Sequence, residues 1–529
     1  MRTPLKICFL FIFLATPLLS IARSKESKSH ALLKREINFV IKSSNTPRTI
    51  KGIEIFSRKD RKRLYDFNSG FLLNPASNLK IVTTSFALQR LGIDYKFRTR
   101  FIIDGVRRVN TIDGDLVVAT CGDPLITHAD LDSIAEIISR SGIGKIDGDI
   151  VIDVSKFDTV EWGSGWMWDD EPSEYQMFIS PACLDHNTVK VLVALDTITH
   201  KLSTTTQPTT EFVRIFSTAI ADTIDSLCVT RVMRNNTNTI LASGKYSPFL
   251  PASDYTFSVR HPAEYFGTVF KNMLDKHDIM VQGDVIKESG PIRTAAGGET
   301  DTIFTLEHSI DTIITYINKI SDNLGAECLL RIVPREIYGQ IASAANGIKL
   351  EKNFLNECGV DSTQYCIVDG CGLSRYDLIT PNAIVKVLNH DLDQPFGDLF
   401  LHSLPLSGID GTLEKRMSQN FLIGNVFAKT GSINGVSTLS GYVLLPKDTL
   451  VFSMIMQNFI MSGDSIRAVQ DSLCKILSLY DDNPTIFRRN LTKHNVGTYW
   501  ATYQRMELNK IKKKKRSAEG FHEKLSGER

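Results

Sequence analysis

The run NPASNLK at residues 74–80 places a serine hydroxyl, Ser77, three positions before an amine, Lys80. Apolar residues recur after Ser77 at helical spacing, which predicts a helix with one face toward a core. Residues three apart on a helix lie side by side, so the amine is within reach of the hydroxyl. A serine needs a nearby base to act as a nucleophile, and a buried lysine with a lowered pKa can be that base. The run therefore predicts Ser77 as a nucleophile and Lys80 as its general base.

Ser-x-x-Lys is a weak signal by itself, because a second instance occurs at residues 472–475. Two further runs strengthen the first: Ser-Asp-Asn at 321–323, after a predicted helix, and Lys-Thr-Gly at 429–431, on a predicted strand. Ser-x-Asn also occurs elsewhere, but only this instance lies between the other two runs and at a helix end. The ordered set matches the three signatures shared by penicillin-binding proteins and class A β-lactamases.

Four runs together resemble a known family, the DacB-type D-alanyl-D-alanine carboxypeptidases/endopeptidases, also described as class C low-molecular-mass penicillin-binding proteins or peptidase family S13. They are NPASNLK at 74–80, NKISDN at 318–323, DGCGLSR at 369–375 and KTG at 429–431. The likeness spans about residues 36–480. Ser77 and Ser321 lie far apart in the chain, as in this family, which inserts extra domains there, whereas ordinary β-lactamases place these motifs much closer.

The resemblance implies a catalytic role for each matching residue. Ser77 would attack the carbonyl between two terminal D-alanines while Lys80 takes its proton. Ser321, bridging Lys80 and Lys429, would relay a proton to the departing D-alanine, and Asn323 would hold the amide on the acyl side. The backbone N–H groups of Ser77 and of the serine at 432 would stabilise the oxyanion.

The same resemblance implies a substrate-binding role for further residues. The residues expected to bind the terminal carboxylate are Lys429, Thr430 and Ser432, because a buried carboxylate needs a cationic partner. Leu373 and Arg375 would contact the stem peptide, although their glycine-rich loop has a second interpretation as a set of tight turns. Cys371 stands where the family usually has serine, which puts the fine specificity in doubt.

The function implied is that of a serine-type D-Ala-D-Ala carboxypeptidase/endopeptidase that acts on peptidoglycan stem peptides and is acylated by β-lactam antibiotics. No cofactor and no metal are expected, since metal-, nucleotide- and esterase-type motifs are missing from the sequence. Two alternatives stay open. One is a serine β-lactamase, and the other is a non-catalytic peptidoglycan-binding protein on the same fold.

The elements that must position these residues follow from the hydrophobic periodicity. Helices are predicted at 29–43, from Ser77, from Ser309, at 325–333 and at 464–480, with a hairpin at 51–67 and three antiparallel strands over 425–456. From about 98 to 298, short strand-like runs alternate with turns. The predicted fold is α+β: a β-lactamase/transpeptidase-like domain in two parts, 23–97 and 299–483, interrupted by β-rich inserted domains at 98–298.

The composition and the two termini of the chain indicate the cellular compartment and the kinds of partner to expect. The formal net charge of +2 argues against a nucleic-acid partner, and 42% hydrophobic residues allow a large core. Basic residues followed by a short apolar run predict a signal peptide at 1–22, hence export to the periplasm as a soluble protein. Residues 484–529 are predicted to be a basic, disordered tail, with a weak contact to an anionic envelope as the alternative.

Eight cysteines would remain after removal of the signal peptide, scattered without metal-ligand spacing. An oxidising compartment permits disulfides, and the pair to test first is Cys358 with Cys366. Buried free thiols are expected for most of the others.

Overall fold

The computed structural model describes residues 27–44, 46, 48–195, 202–233, 237–247, 249, 252–290 and 301–494. The predicted signal peptide and the lysine-rich part of the predicted tail lie outside these residues. The helices are α1 Lys28–Ser43, α2 Leu79–Leu91, α3 His128–Arg140, α4 Pro262–Lys276, α5 Ile310–Ile320, α6 Asn323–Tyr338, α7 Ala344–Glu357, α8 Pro381–Asp391, α9 Gly397–Ser403, α10 Gly463–Ser478 and α11 Pro484–Lys493.

The strands fall into two groups, one that flanks the predicted motifs and one that lies between the first two motifs. The first group is β1 Ile50–Ser57, β2 Lys62–Phe67, β18 Tyr365–Cys366, β19 Leu378–Ile379, β20 Val426–Ile433, β21 Val436–Leu445 and β22 Asp448–Gln457. The second group is β3 Lys96–Arg107, β4 Thr111–Ala119, β5 Lys145–Ile146, β6 Ile150–Asp153, β7 Thr188–Leu195, β8 Leu202–Gln207, β9 Arg214–Ser217, β10 Ile220–Ala221, β11 Cys228–Arg231, β12 Thr239–Ser243, β13 Lys245–Tyr246, β14 Ser253–Ser258, β15 Met280–Val281, β16 Val285–Glu288 and β17 Asp301–Ser309.

A five-stranded antiparallel sheet, in the order β2-β1-β22-β21-β20, forms the centre of the first group. Alternate side chains of its strands point to opposite faces, and both faces are buried. One face packs against α1 and α10, while the other packs against α2 and α8. The result is a three-layer arrangement in which the helix carrying Lys80 lies directly on the sheet that carries Lys429.

The region between the first two motifs has a separate core around a seven-stranded mixed sheet. In it β3 pairs with β4 and with β17, which leads directly into α5. Helices α3 and α4 cover this sheet with apolar side chains such as Ile134, Phe266 and Phe270. Smaller sheets follow, in the orders β14-β7-β8 and β11-β12-β9.

The predicted α+β class is confirmed, and each of the helices and strands named in the sequence analysis is present with shifted ends. Short strand-like runs dominate the sequence pattern of residues 98–298, so two long helices, α3 and α4, were not predicted there. Residues 484–493, expected to belong to a disordered tail, instead form α11, which buries Phe487 and Leu491 in the core beside α1 and α10. The domain boundaries themselves stay predictions.

No disulfide joins Cys358 and Cys366, the pair to test first: the cysteines of the described residues are free thiols. Cys358 lies half-buried at the end of α7, whereas Cys366 lies exposed in β18, beyond a short 3-10 turn at Ser362–Gln364. Among the described helices none is both long and apolar enough to span a lipid bilayer.

Candidate active site

The turn that carries Ser77 is held from both sides. A single 3-10 turn, Ala76–Asn78, precedes α2, and Ala76 has a left-handed backbone with φ +44°, which is uncommon for a residue with a side chain. The side-chain oxygen of Asn74 accepts the N–H of Ala76 (2.9 Å), while its amide donates to the carbonyls of Ser374 and Asp377. Neighbouring loops therefore fix the conformation of this turn.

Lys80 lies fully buried at the start of α2, with three acceptors around its amine. Its Nζ donates to Ser77 Oγ (3.0 Å), to Asn323 Oδ1 (2.5 Å) and to the carbonyl of Cys371 (2.7 Å). Burial lowers the pKa of Lys80, although nearby acidic groups, including Asp369, oppose the shift. An amine with a lowered pKa at hydrogen-bond distance from a hydroxyl has the properties that a general base requires.

Ser321 ends α5 in a left-handed conformation (φ +68°), which directs its hydroxyl toward the strand β20. Its Oγ accepts a hydrogen bond from Lys429 Nζ (2.8 Å). Lys429 is fully buried, and burial together with the charge of Lys80 lowers its pKa well below the usual value. Of the expected bridge from Ser321 to both lysines, the contact with Lys429 is present. Among the described residues, Lys80 donates to Asn323 and not to Ser321.

Strand β20 runs beside the Ser77 turn with almost no space between them. The amide of Asn78 donates to the carbonyl of Lys429 (2.8 Å), and Thr438 Oγ1 donates to the carbonyl of Pro75 (3.0 Å). A methyl group on Gly431 would lie 2.9 Å from the backbone nitrogen of Ser77 and 2.2 Å from Thr438 Oγ1. Glycine at 431 therefore lets the strand approach the nucleophile.

The glycine-rich loop at 369–375 is held by two buried carboxylates. Asp369 accepts N–H groups from residues 371, 372 and 374 and the indole N–H of Trp166 (3.0 Å). Glu327 accepts the N–H groups of residues 370 and 371 and pairs with Arg331 (2.5 Å). These bonds fix the carbonyl of Cys371, which accepts a hydrogen bond from Lys80 Nζ.

Three buried groups behind this loop, the carboxylates of Glu327 and Asp369 and the thiol of Cys371, lie within 4.8 Å of one another. Such a set has the composition of a metal site. The oxygens of the two carboxylates, however, already accept the N–H groups of the loop or pair with Arg331, so the hydrogen bonds account for their burial. Burial also raises the pKa of the Cys371 thiol well above its usual value.

Ser77 opens into a cleft of about 1010 Å³. The lining residues from the predicted site are Ser77, Ser321, Asn323, Leu373, Arg375 and Ser432. Arg375 donates to the carbonyl of Asn434 (2.9 Å) and so lies along the rim beside β20. Thr430 is half-buried and donates to Thr412 Oγ1 (2.8 Å). The structure thus brings eight of the nine predicted residues together at this cleft and its floor, while the hydroxyl of Thr430 bonds Thr412 beside it.

Several residues of the site were not predicted from the sequence motifs. Asn78 and Glu327 are fully buried and hydrogen-bonded to the motif segments, and the carbonyl of Tyr175, in the inserted region, accepts the amide of Asn323 (2.6 Å). The one available signal was the position of Asn78 between Ser77 and Lys80. The other contacts join residues too distant in sequence for a pattern to reveal.

The structure has the fold of a penicillin-binding protein. It matches the crystal structure of penicillin-binding protein 4 (DacB) from Haemophilus influenzae with a TM-score of 0.71 and 23% sequence identity, covering 87% of this chain and 99% of that one. The same Haemophilus protein has also been crystallised in complex with a novel β-lactam, and that structure matches with a TM-score of 0.68.

The chain belongs to the D-Ala-D-Ala carboxypeptidase 3 (S13) family, whose model matches residues 33–479. A D-alanyl-D-alanine carboxypeptidase from an Actinomadura species is 28% identical over 470 residues, covering 85% of each chain. The D-alanyl-D-alanine carboxypeptidase DacB of Haemophilus influenzae is 26% identical over 407 residues, covering 75% of this chain and 83% of the relative.

Proposed function

We propose that this protein is a serine D-Ala-D-Ala carboxypeptidase that hydrolyses the terminal bond of peptidoglycan stem peptides through an acyl-enzyme on Ser77. The observation that carries the proposal is the convergence of three sequence-distant motifs on one cleft. Ser77 Oγ, Lys80 Nζ and Asn323 Oδ1 form one hydrogen-bonded chain, and Lys429 Nζ with Ser321 Oγ forms a second. Membership of the S13 family supports this reaction for the chain.

Acylation begins with the transfer of the Ser77 proton to the neutral amine of Lys80. Burial of Lys80 favours the neutral amine, which accepts the proton over the 3.0 Å contact. Ser77 Oγ then bonds to the carbonyl carbon, and the oxyanion is stabilised by the N–H groups of Ser77 and Ser432. Such a preorganised donor is worth about 3 kcal/mol in the transition state.

Departure of D-alanine needs a proton on its nitrogen. Ser321 supplies it through its hydroxyl and is reprotonated by Lys429, which lies 2.8 Å away. Lys429, Thr430 and Ser432 hold the terminal carboxylate of the leaving group. The carboxylate also favours the charged form of Lys429, whose pKa burial otherwise lowers, so substrate binding and proton supply are coupled. Water then releases the acyl group from Ser77.

The substrate peptide lies along the cleft, with the acyl-side amide near Asn323 and the stem near Leu373 and Arg375. Tyr175 also lines a second cavity of about 510 Å³, together with Glu174 and Asp254 among others. This neighbouring cavity favours an additional endopeptidase activity on cross-linked stems, because a branched substrate needs room on both sides of the scissile bond.

β-Lactams resemble the D-alanyl-D-alanine terminus and acylate the same serine, as the Haemophilus relative crystallised with a β-lactam suggests. The adduct is long-lived, because the family lacks the glutamate-activated water of class A β-lactamases. The protein acts in the periplasm after export through the signal at residues 1–22.

Digestion of purified muropeptides tests the proposal. The wild type should release D-alanine from an uncross-linked pentapeptide, and Ser77→Ala should release none. Cleavage of cross-linked dimers, read by mass spectrometry, measures the endopeptidase activity separately. Binding of pentapeptide without any release of D-alanine would instead favour the non-catalytic alternative, while rapid steady-state penicillin turnover would favour a β-lactamase.

A further inference from the structure

The turn between α5 and α6 carries two of the proposed catalytic groups on very few residues. Ser321 ends α5 and Asn323 begins α6, with only Asp322 between them. The left-handed backbone of Ser321 is disfavoured for a residue with a side chain, so the surroundings must hold it. One carboxylate oxygen of Asp322 caps α6 by accepting the N–H of Gly325 (2.6 Å).

A histidine from the inserted region contacts both sides of this turn. His186 Nε2 lies 2.8 Å from the hydroxyl of Tyr316 on α5, and the two rings are stacked at 5° with centroids 5.1 Å apart. His186 Nδ1 lies 3.3 Å from the other carboxylate oxygen of Asp322, at ion-pair distance. One side chain therefore connects the helix before Ser321 to the cap of the helix that begins at Asn323.

The segment that presents His186 is itself rigid. Residues 185–187 are left-handed in succession, with φ values of +47°, +56° and +55°. The side chain of Asn187 accepts the N–H of Leu184 (3.0 Å) and donates to the carbonyl of Phe178 (2.8 Å). Asp185 pairs with His128 on α3 (3.0 Å). Such a turn fixes the direction of the histidine ring.

We propose that His186 is a positioning residue for the reaction of Ser77: its ring, held between Tyr316 and Asp322, fixes the turn that carries Ser321 and Asn323. This inference rests on the proposed function. His186 does not contact the reacting atoms. It acts through Asp322, the middle residue of the Ser-Asp-Asn motif, to which the proposed mechanism assigns no chemistry.

The charge of His186 depends on groups of three elements. Tyr316 of α5 and Asp322 at the cap of α6 contact its ring, and Asp185 of its own turn is a neighbouring carboxylate that also pairs with His128 of α3. Burial lowers the pKa of His186, but Asp322 and Asp185 outweigh burial and raise it above 6.5. The ion pair is therefore complete below about pH 6.5 and is lost as the pH rises through the folded-state value.

Stopped-flow acylation by a fluorescent penicillin, measured across pH for matched variants, tests the inference. The ratio of wild-type to variant rate constants removes the titration of Lys80, which both proteins share. For His186→Gln this ratio should be about tenfold near pH 6 and fall toward one near pH 9. Asp322→Asn keeps a helix cap but removes the charge, and it should give the same pH-dependent ratio.

His277→Gln is the matched control, because His277 forms a similar contact with Asp132 (2.9 Å) elsewhere in the inserted region. Its ratio should stay near one. The double variant His186→Gln/Asp322→Asn should be no slower than either single variant, since the two act through one contact. A pH-independent ratio or additive effects would overturn the inference, whereas a wild type that is never acylated would contradict the proposed function itself.

Discussion

At the scale of single residues, reactivity comes from burial of an amine beside a hydroxyl. Lys80 has no exposed surface, and its amine lies within hydrogen-bond distance of Ser77 Oγ, Asn323 Oδ1 and the carbonyl of Cys371. The second Ser-x-x-Lys run, at residues 472–475, lies on α10 with its lysine near the ring of Phe421. The same spacing therefore occurs in two environments: Ser77 lines a cleft, whereas Ser472 and Lys475 are buried on α10.

Substitution of Lys80 by arginine should lower the rate of acylation by penicillin about a thousandfold. Arginine keeps the positive charge but stays protonated, so it cannot accept the Ser77 proton. Lys475→Arg is the control, and its acylation rate should equal that of the wild type. Stopped-flow fluorescence measures both rates; similar rates for Lys80→Arg and the wild type would exclude Lys80 as the base.

At the scale of elements, the site depends on the close approach of β20 to the turn before α2. The hydrogen bond of Asn78 joins the turn to β20, that of Thr438 joins it to the neighbouring strand β21, and Gly431 leaves the space between β20 and the turn. The loop at 369–375 closes the other side, where a methyl on Gly372 would lie 1.9 Å from the carbonyl of Ala76. Both glycines are needed because backbone, rather than side chain, surrounds the nucleophile.

Gly431→Ala should slow acylation about a hundredfold while the protein stays folded. The added methyl pushes β20 away from the backbone nitrogen of Ser77, and a displacement near 1 Å at an oxyanion donor costs about this factor. Gly70→Ala is the control, since nothing lies within 4 Å of its added methyl. Equal acylation rates of the two variants would contradict the assigned role of the strand.

Helix α6 should lose stability when its buried ion pair is broken. Glu327→Ala removes the buried carboxylate that pairs with Arg331 and leaves the N–H of Gly370 without its acceptor, which should lower the free energy of unfolding by about 3–5 kcal/mol. Glu136→Ala breaks the exposed pair with Arg140 on α3 and should change it by less than about 1 kcal/mol. Urea denaturation compares the two, and similar losses would contradict the role given to Glu327.

At the scale of the whole molecule, the buried carboxyl group of Glu351 should make the free energy of unfolding fall as the pH rises above the acidic range. Burial raises the pKa of Glu351, on α7, from its ordinary value of 4.5 to about 8, so the folded protein holds this proton more tightly than the unfolded chain. This contribution is complete below about pH 4.5 and is lost as the pH rises to about 8.

Glu351→Gln removes that titration, so its stability relative to the wild type should improve with pH over this range. The slope should approach about 1.4 kcal/mol per pH unit. Urea denaturation at matched pH values measures the difference. A difference that stays constant with pH would show that the buried carboxyl does not titrate as its environment implies.

The sequence predicted much of the first group of elements, because its apolar positions follow clear periods. The strands at 426–433, 436–445 and 448–457 alternate or run continuously apolar between turn residues, and α5 has an isoleucine stripe. In the inserted region, α4 begins at a proline after a left-handed histidine, His261, and its apolar residues at 263, 266, 270 and 274 gave a helical signal. Because many short strand-like runs surround this segment, the helix was not predicted.

The site was predictable in its residue types but not in its connections. Motif spacing predicted Ser77, Lys80 and Lys429 as site residues, yet Lys80 donates to Asn323 where a bond with Ser321 was expected. The roles of Glu327 and His186 depend on contacts between segments far apart in the chain. Such contacts follow from the packing of the inserted region against α5 and α6. No local sequence pattern predicts this packing.

Intact-mass measurement after treatment with benzylpenicillin tests the central claim most directly. The wild type should gain the mass of one penicillin and retain it, because Ser77 forms an ester that water releases slowly. Ser77→Ala should gain nothing. A wild type without an adduct, or an equal adduct on Ser77→Ala, would contradict the account.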